Sequence, residues 1–231
     1  MNKKTNTKKY ILVTLGVLVG ILLISGTSKI LNNPNILKLS KPIIKSNTSI
    51  EAAIKNRRSI RNYKKDSLDL KEISQILWAA QGITDNNGQR SVPSAKATYP
   101  IEIYVASSNV KDLDPGIYKY NTEKNSLIKI IEGNKTEGIY NAGLKQDCIK
   151  NGSAIIIICG VYEKTNQKHG QMAKQYVDIE AGAVAQNIYL QTVSLKIGTV
   201  FVGAFDVNKI KDIINAESNE QPIGIMPIGK I

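Results

Sequence analysis

Ser153-Ala154-Ile155-Ile156-Ile157-Ile158-Cys159-Gly160-Val161 is the stretch whose reading decides the fold. An almost unbroken β-branched run predicts a central strand over Ala154–Cys159, buried on both faces because it has no polar alternate positions. Downstream, Gln171–Leu195 contains no proline, and Ala, Ile, Val and Tyr cover much of its helical circumference. A helix apolar on more than one face packs on several sides, in a core or a subunit interface. Working outward, Ile101–Ala106 alternates as a strand, and Pro115-Gly116 turns the chain into a second strand at Ile117–Tyr120. Thr199–Val202 and Ile223–Ile228 read as further strands, and Lys135–Gln146 as a helix. Upstream, Thr48 and Glu51 have capping-box spacing for a short helix running toward Arg57 and Arg58. Asp69 caps another helix, whose apolar residues Leu70, Ile73, Ile76, Leu77 and Ala80 recur at helical spacing and end near Gly82. Asp85–Gly88 is a loop. The fold class is α+β, a central mixed or antiparallel sheet flanked by helices.

The 231-residue chain carries a formal charge of +12, and its location matters more than its size. Residues 1–65 hold fourteen Lys and Arg against Glu51 alone, while residues 66–231 hold seventeen against eighteen acids. The body is therefore near neutral, which excludes a nucleic-acid-binding domain with a basic folded face. The basic arm fits a membrane-proximal tether. Within it, Lys3, Lys4, Lys8 and Lys9 precede an uncharged stretch from Tyr10 to Ser28. That pattern is read as a single-pass membrane anchor over 1–28, with a cleaved secretory signal as the competing reading. The domain's side of the membrane is open, the extracytoplasmic side being slightly favoured, because Lys29, Lys38, Lys41 and Lys45 dilute the positive-inside bias. Residues 29–47 are read as a linker, and 48–231 as the folded domain.

Two cysteines and one histidine leave little room for nucleophilic or metal chemistry. No Cys or His spacing suits a metal site, and any triad would hang on His169, which sits in a polar run and is read as a solvated loop residue. Cys159 reads as a small core hydrophobe, and a disulfide to Cys148 is not expected.

Three constellations carry chemistry. Arg57-Arg58-Ser59-Ile60-Arg61 gathers three guanidiniums and a hydroxyl, suited to a phosphate or equally to a solvated basic patch. Pro93-Ser94-Ala95-Lys96-Ala97-Thr98-Tyr99-Pro100 is rich in small residues that let a backbone approach a flat ligand, although an ordinary loop has the same composition. Gly198–Asp206 is a strand leading into a helix that Asp206 can cap, with Gly203 and Ala204 offering free amides. It is not a dinucleotide fingerprint.

Taken together and in this order, with Leu77–Thr84, Glu180-Ala181-Gly182-Ala183-Val184-Ala185-Gln186-Asn187 and Pro227–Lys230, these stretches resemble the nitroreductase superfamily. The closest likeness is to its SagB-type dehydrogenase branch, over about Thr48–Lys230. The resemblance implies a nitroreductase-like α+β homodimer with one FMN per site at the subunit interface. It places the FMN phosphate and ribityl end on Arg57, Arg58, Ser59 and Arg61. The flavin ring falls on Pro93, Ser94 and Ala95, partly across the subunit boundary, and the N5 and O4 edge on the amides of Gly203 and Ala204. It implies flavin chemistry without a catalytic side chain: a hydride taken from a reduced donor such as NAD(P)H and passed to a small acceptor, a nitro compound or a quinone. A peptide azoline dehydrogenase and a flavin-binding surface module without turnover are the alternatives. Lys96 and Tyr99 are polar candidates in the pocket with no catalytic assignment; Lys96 stands where many relatives have Gly. The phosphate end of the site has only Lys230 where relatives carry further basic residues.

Overall fold

The computed structural model describes residues 35–231, so the expected anchor and the first residues of the expected linker lie outside the described residues. Its elements run β1 (Ile36–Lys38), α1 (Ile50–Asn56), β2 (Leu68–Asp69), α2 (Leu70–Gln81), β3 (Ile101–Ser107), β4 (Val110–Lys111), β5 (Gly116–Asn121) and β6 (Ser126–Glu132). They continue α3 (Thr136–Ala142), α4 (Asp147–Asn151), β7 (Ala154–Gly160), α5 (Tyr162–His169), α6 (Ala173–Leu195), β8 (Ile197–Thr199), α7 (Val207–Ile213) and β9 (Gln221–Lys230). Seven strands form one antiparallel sheet in the order β1-β6-β5-β3-β7-β9-β8, while β2 and β4 make a small parallel pair. No helix among the described residues is long and apolar enough to cross a membrane.

The isoleucine run explains itself once the layers are seen. Ile156 and Ile158 of β7 face α2 and α6, packing with Ile73, Ile76, Val177, Val184 and Ile188. Ile155, Ile157 and Cys159 face the other way, toward Ile139, Ile149 and Ile210 from α3, α4 and α7 and Ile214 just past α7. Both faces are dry, so the usual in–out alternation disappears although the sheet is antiparallel. Each fully buried isoleucine contributes roughly 1.5–3 kcal/mol of transfer free energy, which makes this strand the energetic centre of the domain.

Several expectations need correction. Residues read as linker belong to the fold: Ile36–Lys38 pair with β6, Leu39 is buried, and the Ile43 amide donates to Gln75 Oε1 at 2.8 Å. The cap of α1 is Ser49, whose hydroxyl accepts from the Ala52 amide, rather than Thr48. The expected helix over Lys135–Gln146 breaks after Ala142, where Leu144 and Lys145 take left-handed backbone, and resumes at Asp147. His169 ends a helix, half-buried and edge-on to Tyr176, rather than sitting in a loop. That helix has Thr165 as its one buried residue, so it carries no apolar stripe to announce it. The Asp69 start of α2 stands as expected, with the Asp69 amide donating to Glu72. Both cysteines are buried and free.

On the face of the sheet that packs against α3, α4 and α7, beside the second apolar cluster, lies a charged cluster. Glu220, before β9, accepts from the Tyr104 hydroxyl of β3 and the Lys119 ammonium of β5. Glu217 and Glu102 flank Lys119 at 3.3 and 3.9 Å. Burial alone would pull the Lys119 ammonium down; the Glu220 bond and the three surrounding carboxylates more than offset it and hold the group above the ordinary lysine range.

Candidate active site

The arginine stretch begins where α1 ends. The Arg57 amide still closes the helix on the Ala53 carbonyl at 3.0 Å, and Arg57 then turns into extended backbone. From there the chain is laid against the end of the sheet. The Ile60 amide donates to the Thr199 carbonyl of β8 at 2.9 Å, and the Lys64 amide to the Lys230 carbonyl of β9 at 2.8 Å. The Tyr63 hydroxyl reaches the Ile60 and Pro227 carbonyls, and burial pushes this phenol up. So close a docking requires glycine in both strands. A Cβ on Gly198 would stand 2.9 Å from Ile60 Cγ2, and one on Gly229 would stand 2.7 Å from Tyr63 Cβ.

The side chains of this stretch divide. Arg57 lays its guanidinium over the Tyr189 ring of α6, 4.9 Å from the centroid, and Ser59 Oγ lies 3.0 Å from Tyr189 Oη. Arg58 and Arg61 are exposed, Arg58 curling back onto the Lys55 and Arg57 carbonyls. Tyr189 Oη also accepts the Phe201 amide at 2.7 Å, just past β8. Beyond it, Val202 bridges to Ile225, and Asp206 caps α7 by accepting from the Lys209 amide. That backbone bond, chiefly, holds the Asp206 carboxyl below its ordinary range. Between these anchors Gly203 and Ala204 are exposed, and neither amide donates to a protein acceptor among the described residues. Tyr189 therefore ties Arg57 and Ser59 to Phe201, from which the chain runs directly into the two free amides. Lys230 is close by through its backbone, but its ammonium is engaged by Glu72 at 2.5 Å.

The Pro93–Pro100 loop is elsewhere in the chain. It rests on Glu180 of α6, nine residues before Tyr189; at about 100° per residue those two side chains point to opposite sides of the helix. Ser94 Oγ accepts from the Tyr99 amide, and Arg90 both donates to Gln81 Oε1 and stacks on Tyr99, 4.3 Å from its centroid. Lys96 has φ +48, Ala97 +51 and Tyr99 +44, so Lys96 occupies backbone that favours glycine. Beneath, Glu180 is 4% exposed with Oε1 unpartnered, and Gln81 Nε2 is likewise buried and unpartnered. Burial pushes the Glu180 carboxyl up, only partly countered by Ser94, Gln81 and Arg90. The single chain thus unites the arginine stretch with the Gly203–Ala204 amides, and does not unite either with Pro93–Ala95. Tyr189, Phe201, Glu180, Gln81 and Arg90 were missed as site residues. Gln81, Glu180 and Phe201 lie inside stretches the sequence analysis had singled out, whereas nothing signalled Tyr189 or Arg90.

The fold is an α+β layered one with an anion-suited arginine turn and free strand-end amides, and comparison with known proteins supplies its class, an oxidoreductase. Residues 54–230 match the sequence profile of the nitroreductase family, and the chain belongs to that family. It is 42% identical over 181 residues to a candidate nitroreductase of Methanocaldococcus jannaschii, covering 78% of this chain and 90% of that one. The crystal structure of a candidate nitroreductase from Ralstonia eutropha JMP134 superposes with a TM-score of 0.75 at 23% identity, covering 85% of this chain and 89% of that one. That of a candidate NADH oxidase from Clostridium acetobutylicum does so with 0.54 at 25% identity, covering 77% and 86%.

Proposed function

We propose that the protein is an FMN-dependent oxidoreductase working as a homodimer, carrying two electrons from a reduced donor such as NAD(P)H to a small acceptor such as a nitro compound or a quinone. One observation carries this reading: Arg57 and Ser59 meet Tyr189, whose hydroxyl also holds the Phe201 amide, two residues before the unpaired amides of Gly203 and Ala204. Guanidinium and hydroxyl suit a phosphate, and amides with no acceptor suit the polar edge of a ring, so the donor set fits FMN. Bound there, FMN supplies the hydride chemistry. The chain's own part is to grip the phosphate with Arg57, Ser59 and the exposed Arg58 and Arg61. The two amides orient the ring edge and stabilise negative charge on it.

The homodimer is supported by the separation of the two loops along α6, since Pro93–Ala95 of one protomer has to meet the amides of another to line a common ring site. It is supported also by a groove of about 620 Å³ lined by Ile43, Ile44, Ile50, Trp78 and Leu190, next to well-exposed isoleucines. Purified full-length chain is expected to retain or take up FMN, to bleach on mixing with NADH or NADPH, and to recover colour with an acceptor in stopped flow. Arg57→Ala is expected to lower FMN retention after dialysis. Protein that cannot be loaded with FMN at all would overturn the reading.

A further inference from the structure

We infer that Tyr189 is a positioning residue that orients the Ser59 hydroxyl toward the phosphate of the flavin nucleotide and ties that end of the site to the ring-edge amides; this rests on the FMN reading above. Tyr189 is 8% exposed, so its phenol proton has to be placed within the protein. The Phe201 amide already donates to Tyr189 Oη at 2.7 Å, which occupies an oxygen lone pair and leaves the phenol as a donor. Its partner is Ser59 Oγ at 3.0 Å. Were Ser59 the donor instead, a buried phenol proton would be left idle, at a cost of roughly 1–3 kcal/mol.

The proton order is therefore Phe201 N–H to Tyr189 Oη, and Tyr189 O–H to Ser59 Oγ. With its oxygen engaged from behind, Ser59 keeps its own proton for an outside acceptor, and Ser59 is exposed. The acceptor class follows from the neighbour: Arg57 holds a permanent positive charge over the same Tyr189 ring, so an anion is favoured beside Ser59. A phosphate monoester meets both donors. The far side of the same Oη holds Phe201, two positions before Gly203. One hydroxyl on the long helix thus sets the register between the phosphate end and the ring end, joining segments that are 130 residues apart in the chain on one side and 12 on the other.

The test compares FMN with riboflavin, which has the same ring and no phosphate, by fluorescence titration of full-length apoprotein. Tyr189→Phe keeps the ring and the Arg57 stack while removing the hydroxyl. It is expected to weaken FMN about tenfold more than riboflavin, as loss of an oriented hydrogen bond to a charged group implies. Ser59→Ala, which leaves the Phe201 bond intact, is expected to show the same differential, and the double variant no larger one. Equal losses for both flavins, an unchanged FMN affinity in either single variant, or additive losses would overturn the inference while leaving the FMN reading in place. Wild-type protein that binds neither flavin would bring down both. Should Tyr189→Phe fail to fold, Ser59→Ala decides alone: no selective loss of FMN sinks the inference.

Discussion

Replacing Lys119 by methionine is expected to destabilise the domain by about 3 kcal/mol at pH 8, and the magnitude follows from what each neighbour loses. Glu220 is 2% exposed and holds three donors: the Lys119 ammonium, the Tyr104 hydroxyl and the Glu217 amide at 3.2 Å. Methionine preserves the stem of the lysine and removes the cation, leaving a buried carboxylate with two neutral donors. Breaking a buried ion pair from one side costs about 3–5 kcal/mol. The lower end applies here because the Lys119 side chain is 19% exposed, so water screens part of the pair. Tyr104→Phe removes one hydrogen bond to the same carboxylate but leaves it the cation, so its cost is about 1.5 kcal/mol. Urea unfolding followed by circular dichroism measures both. The pH dependence has a fixed sign. Because the Lys119 ammonium sits above its ordinary value of 10.5 when folded, its contribution is complete below that value and is lost as pH rises through the folded one. The gap between wild type and Lys119→Met is therefore expected to be flat from neutrality to about pH 10 and to shrink above the ordinary lysine value of 10.5. A Lys119→Met loss smaller than that of Tyr104→Phe would refute the reasoning, since it would mean that the carboxylate does not depend on its cation.

Two further outcomes are expected. Glu180→Gln removes a buried carboxyl whose folded form favours the proton; a group raised in this way stabilises below its unfolded value of 4.5 and loses that contribution as pH rises. The variant should melt higher than wild type at pH 8, with the difference closing toward pH 4.5, and a constant difference across melts at both pH values would count against it. Gly198→Ala puts a methyl against Ile60 and Ile231, at 2.9 and 2.6 Å, for a cost of about 1–3 kcal/mol by overpacking. Because Ile60 lies inside the arginine stretch, FMN affinity should fall with stability, and a variant with wild-type affinity would show that the stretch is not held by this contact.

What the sequence makes legible is what repeats locally. The isoleucine run, the helix over Leu70–Gln81 and the long helix each announce themselves by a pattern several residues deep, and each is found in place. β1 escapes because three residues carry no period, and α5 because it buries almost nothing. The candidate site is legible as motifs but not as a site. That Arg57 and Ser59 meet a tyrosine buried in the long helix depends on a contact 130 residues long, and that Lys230 is engaged by Glu72 on one spanning 158. Neither side chain advertises its partner. The left-handed backbone at Lys96, by contrast, could be suspected from a lysine standing where relatives have glycine.

The position of β9 has a consequence for how the protein comes to be made. It is the last strand in chain order, yet it lies between β7 and β8 rather than at the rim. Until it emerges from the ribosome, β7 is an apolar strand with one edge unpaired, the kind of template on which neighbouring nascent chains associate. The arginine stretch meanwhile has neither the Lys230 carbonyl nor the Pro227 carbonyl to lie against. Synthesis of β9 therefore delivers the sheet's missing ladder and the footing of the anion-suited turn in a single event.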